Sequence, residues 1–128
     1  MNLEQHRMKA AWDVATAIEP KHWDAWWSAA MSFGANVQRC GLLQSVVFLL
    51  RDHKDVADLL TGAVRDHLVD RKMLDEAARE RPLLDALRAM DGDRHMLVTR
   101  EVLALSIWIR RATQAEDLRR EAAAPPQP

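Results

Sequence analysis

The residues that could perform acid–base, nucleophilic or metal chemistry are few and scattered. Histidines stand at His6, His22, His53, His67 and His95, and no two have the short spacing of a metal-binding pair. The triplet Arg-Asp-His occurs twice, at 51–53 and at 65–67. Sequence neighbours point in different directions on a helix, where facing pairs are three or four residues apart. The triplet therefore reads as a chance recurrence on a solvated face. Cys40 is the only cysteine, which excludes an intramolecular disulfide, and its neighbours give no metal-ligand spacing. Glycine-rich phosphate loops and nucleophile motifs are absent from the sequence. The residues imply no catalytic site, no metal and no cofactor.

Contact chemistry is better represented. Trp23, Trp26 and Trp27 share one helix face. The plainer reading is core packing, and the sharper one is a partner anchor, since tryptophan is enriched at interface hot spots. Base stacking by these three is disfavoured, because only Lys21 supplies a nearby positive charge. Closer to the C-terminus, Arg100 and Arg111 stand about three helical turns apart and fall on one line. Arg110 flanks them, and Leu103 and Ile107 lie between, on the side opposite Val98, Val102, Leu105, Ile109 and Ala112. This spacing makes an apolar-plus-arginine surface suited to protein or RNA. An arginine fork matches phosphate geometry. The plainer reading pairs these arginines with Glu101, Glu116 or Asp117 and buries Leu103 and Ile107 in the bundle. Lys9, Arg39, Arg51 and Lys54 are further basic candidates near element ends.

Helices must position these residues. Residues 42–50 form the most apolar run, with Gln44 and Ser45 its only polar members, so a helix there should be wrapped by others. It is too short to span a bilayer, which needs about 20 apolar residues. A buried strand is the competing reading, but no second strand candidate exists to pair with it. A first helix spans 2–19, with Met8, Ala11, Trp12, Ala15 and Ile18 on one face, and Pro20 ends it or opens the next at its first turn. A second covers about 22–39, with Gly34 inside it expected to weaken or kink it, and Gly41 is placed to close it in a left-handed conformation. Asp52 reads as the cap of a fourth helix over 53–69. Residues 71–81 are a charged link, and Pro82 starts a fifth helix. Gly92 should close that helix and Asp93 cap the sixth, which runs to about Arg120. The expected fold is an all-α, compact single-domain bundle of about six helices over residues 1–120, followed by a mobile Ala/Pro-rich tail, 121–128.

The 128 residues suit one domain, and 48% hydrophobic with 29% charged content is ordinary for a globular protein. A net charge of -1 argues against strong unaided nucleic-acid binding, though a local basic face is compatible with it. The N-terminus has no apolar signal-peptide segment, so a cytoplasmic protein without membrane association is expected.

Three segments together resemble the small subunit of type III-B CRISPR effector complexes, the Cmr complexes. They are Leu3-Glu4-Gln5-x-Arg7-x-Lys9; Gly41-Leu42-x-Gln44 followed by Phe48-Leu49; and Thr99-x-Glu101-x-Leu103 with Trp108-x-Arg110-Arg111. Their order and spacing cover nearly the whole helical region. Departures exist: Cys40 stands where the family often has Asn, and the chain lacks the usual proline near Gly34 and aromatic near His95. The resemblance implies a non-catalytic helical subunit of an antiviral complex. Several copies would stack beside the backbone subunits along the guide–target RNA duplex. Its partners would then be other Cmr subunits, copies of itself, and guide and target RNA. A near-neutral charge fits a subunit that meets RNA inside an assembly. Two alternatives compete. A helix-turn-helix DNA-binding regulator needs a recognition helix, but Pro82–Met90 offers only Arg88. A small helical enzyme or metal carrier would need chemistry that the residues do not supply.

Overall fold

The structure, a computed structural model, describes residues 1–126. Its helices are α1 (Leu3–Thr16), α2 (Trp23–Cys40), α3 (Leu42–Asp52), α4 (Lys54–Asp70), α5 (Leu83–Arg88) and α6 (Gly92–Ala123). Short 3-10 turns occupy Pro20–His22 and Glu76–Glu80, and no strand occurs among the described residues. The all-α expectation is met. Gln127 and Pro128, the end of the expected tail, lie outside the described residues.

At 32 residues, α6 is about 48 Å long and forms the spine. Long-range contacts fix the direction of its neighbours. Arg7 meets Glu101, Trp12 meets Trp108, and the Ile18 carbonyl accepts from Arg120, so α1 runs parallel to α6. Trp23 reaches Asp117, Trp26 reaches Thr113, and Gly34 abuts Ser106, so α2 runs antiparallel to it. α4 closes the bundle against α1, α2 and α6, while α3 packs on α2, α4 and α5. The core gathers Trp26, Phe33, Leu42, Leu60, Leu68, Leu105 and Ile109, all essentially buried.

Local chemistry explains the element ends. Asn2 opens α1 with a capping box: its side chain accepts from the Gln5 amide, and the Gln5 side chain accepts from the Asn2 amide. Gly41 takes φ +86° between α2 and α3, as its position predicts. Gly34 neither breaks nor ends α2. A Cβ there would lie 2.6 Å from Ser106 Oγ, so this glycine permits close approach of α2 to α6.

Three expectations need correction. Asp52 is the last residue of α3, and His53 precedes α4 without a side-chain cap bond. Asp91, not Asp93, caps α6, accepting from the Arg94 amide, so Gly92 is already helical. The run 42–50 is not wrapped on every side. Leu42, Ser45, Val46 and Leu49 are buried, but Leu43, Val47 and Leu50 each remain 38% exposed.

Candidate nucleic-acid and partner interface

The outer edge of α6 lies between α1 and α2. Arg100, Ile107, Arg110 and Arg111 are exposed along it, Ile107 by 53%, and Leu103 is half-buried among them. On the α2 side a shallow groove of about 250 Å³ opens between the helices, lined by Met31, Gly34, Gln38, Leu103, Ile107 and Arg110. The bare backbone at Gly34 and the small Ala30, Ala35 and Ala104 give the groove its depth. The groove can accept an aliphatic side chain beside a cation.

The three carboxylates of α6 that could have neutralised Arg100 and Arg110 are engaged elsewhere. Glu101 is buried on the inner side of α6, where Arg7 donates from Nε to Oε2 at 2.8 Å and from Nη2 to Oε1 at 2.7 Å. His67, also buried, donates from Nε2 to Glu101 Oε2 at 2.9 Å, since an ionised carboxylate only accepts. Burial pushes the Glu101 carboxyl up, but Arg7 and then His67 outweigh it and hold it below the usual range. Glu116 is buried against Arg119 and Arg120. Asp117 accepts from Trp23 Nε1 at 2.8 Å. Arg100 and Arg110 therefore face solvent with none of these acids as partner.

On the α1 side the row ends in an ordered cluster. Trp108 is half-buried, donates from Nε1 to Glu4 Oε2 at 2.8 Å, and lies 6.5 Å from the Trp12 ring. The Arg111 guanidinium sits over the Trp108 ring, 5.0 Å from its centroid. Arg7 also donates to Glu4, at 2.6 Å, so one chain of bonds runs His67–Glu101–Arg7–Glu4–Trp108 from the core to this surface. Sequence reasoning overlooked the site value of Trp108 and Glu4. The three-residue step from Glu4 to Arg7, and from Trp108 to Arg111, is the signal that could have found them.

The other candidates are dispersed. Arg39 is exposed at the end of α2, and the α2–α6 register carries it to the level of Arg100–Leu103. Lys9 is not part of the row: it lies on α1 and pairs with Asp13 at 2.6 Å. Arg51 pairs with Asp52 and covers the Phe48 ring near the end of α3, and Lys54 is the first residue of α4. Trp26 is fully buried, and Trp23 is 9% exposed beneath the Arg120 guanidinium, so both are core residues, not partner anchors. Trp27 is half-buried and packs on the core. His67, expected on a solvated face, is buried instead. No three His, Cys, Asp or Glu side chains among the described residues converge to hold a metal, and no described helix is long and apolar enough to cross a membrane.

No curated protein matches the sequence. Among solved structures, a CRISPR-associated Cmr5 family protein from Thermus thermophilus superposes with a TM-score of 0.73 at 23% identity, over 90% of this chain and 97% of that one. That likeness establishes a shared fold. The family model for the CRISPR-associated protein Cas_Cmr5 matches residues 3–116, nearly the whole helical region and including both Arg7 and Glu101. The chain thus belongs to the Cmr5 family of CRISPR-associated proteins, small subunits of the type III-B Cmr complex.

Proposed function

We propose that this chain is a non-catalytic subunit that stacks in several copies beside the backbone subunits of the Cmr complex. The outer edge of α6 is turned toward the guide–target RNA duplex. One observation supports this most: Arg100 and Arg110 on that edge are exposed while Glu101, Glu116 and Asp117 are committed to other partners. A free guanidinium can meet a phosphate without first breaking an ion pair. The groove beside Arg110, with Leu103 and Ile107 on its wall, fits contact with a neighbouring protein subunit. A net charge of -1 leaves most phosphate neutralisation to the assembly. The helix-turn-helix alternative finds no support in α5, which has six residues and buries Leu83 and Leu87.

The test is affinity purification of the tagged chain from its native host, with sequencing of co-purifying RNA and identification of co-purifying protein. The expected result is a set of repeat-derived guide RNAs together with the other Cmr subunits. Purification of the chain free of both contradicts the proposal.

A further inference from the structure

Arg110 and Arg111 are adjacent in sequence but stand in different surroundings. Arg110 borders the α2–α6 groove, and the α6 carboxylates Glu101, Glu116 and Asp117 are bonded to other side chains. The Arg111 guanidinium sits over the Trp108 indole, 5.0 Å from its centroid, and that indole donates to the Glu4 carboxylate. Hydrogen bonds from Trp108 and then Arg7 hold Glu4 below the usual carboxylate range, with Arg111 adding to the effect. A phosphate arriving at Arg111 would meet that negative charge, which weakens the site for an anion. A neutral planar group would not.

The same surroundings suit stacking. Trp108 is pinned at its polar edge by Glu4 and braced by Trp12, so the plane under Arg111 is fixed. Arg111 is exposed, which leaves the outer face of its guanidinium to solvent. Unpaired RNA bases stack on guanidinium planes as well as on aromatic rings. We propose that Arg111, held over Trp108, is a stacking plane for an unpaired nucleobase, whereas Arg110 and Arg100 take phosphate. This rests on the RNA-facing orientation proposed for α6 and adds the chemistry of one subsite. Glu4 and Arg7 are its positioning residues.

The test uses assembled complexes carrying the unaltered subunit, Arg111→Lys or Arg110→Gln. Each is titrated with target RNAs made abasic at single unpaired positions, at several salt concentrations. Lysine keeps the charge but not the plane. At one or more positions the abasic change should weaken the unaltered complex about tenfold, the value of one stack. It should cost the Arg111→Lys complex nothing further, and the salt slope of that complex should be unchanged. Equal abasic penalties in the two complexes, or undiminished affinity with Arg111→Lys, overturns the stacking role. If Arg110→Gln also leaves affinity and salt slope untouched, the RNA-facing orientation itself is overturned.

Discussion

Arg7 and Glu101 stand 94 positions apart, yet two parallel hydrogen bonds, 2.8 and 2.7 Å, join them where α1, α4 and α6 meet. His67 completes the set from α4. Both partners are nearly buried, with side-chain exposures of 14% and 9%. Removing one partner strands a buried charge, which costs about 3–5 kcal/mol. Arg7→Leu should therefore lower the thermal midpoint sharply. Arg7→Leu combined with Glu101→Leu should recover much of the loss, and calorimetry on the two variants checks both statements.

The same carboxylates set the acid limit. Glu101 has a folded pKa below its ordinary 4.5, because Arg7 and His67 outweigh the opposing effect of burial. Glu116 is likewise lowered, first by its hydrogen bond from Arg119. A group depressed on folding stabilises the native state fully above its unfolded pKa, and the benefit disappears as pH falls through the folded value. Stability should thus hold at neutral pH and decline below about 4.5. In urea titrations at stepped pH, Glu101→Gln should show a shallower acid decline than the unaltered chain.

Gly34 should resist substitution despite its place in mid-helix. Alanine would improve helix propensity by up to about 1 kcal/mol, but its Cβ would meet Ser106 Oγ at 2.6 Å and Cβ at 3.2 Å. Overpacking of this kind costs about 1–3 kcal/mol. Gly34→Ala should lower the unfolding midpoint, and adding Ser106→Ala should restore part of it.

α3 separates buried from outward leucines on a single helix. Leu49 is 3% exposed and Leu50 is 38% exposed. Leu49→Ala should cost about 2–5 kcal/mol, as cavity-forming changes do. Leu50→Ala, made at a site that water already reaches, should cost clearly less. Denaturant midpoints of the two variants measure the difference.

The helices were legible because apolar residues recur at helical spacing and Gly41, Pro20 and Pro82 punctuate them. Junctions with two candidate aspartates were not. At Asp91-Gly92-Asp93 either residue could cap, and Asp91 wins because its carboxylate reaches the Arg94 amide. Full wrapping of 42–50 was misjudged, since composition tells which residues are apolar but not how many neighbours surround them. Leu43 and Val47 simply lack a covering helix. The arginine row was readable from spacing within α6. That Lys9 belongs to another face, that Trp23 and Trp26 are core, and that Glu101 is spoken for by Arg7 depend on pairings far apart in the chain. Local periodicity carries no information about such pairings.

The central claim is that the outer edge of α6 faces RNA in the assembled complex. Its most direct test is target-RNA affinity of complexes reconstituted with an Arg100→Gln, Arg110→Gln subunit, measured at several salt concentrations. The predicted result is normal incorporation with weaker binding. The dependence of log affinity on log salt should also flatten by about one unit for each phosphate that is no longer neutralised. Normal incorporation with unchanged affinity and unchanged slope would contradict the claim, leaving this row a solvated face.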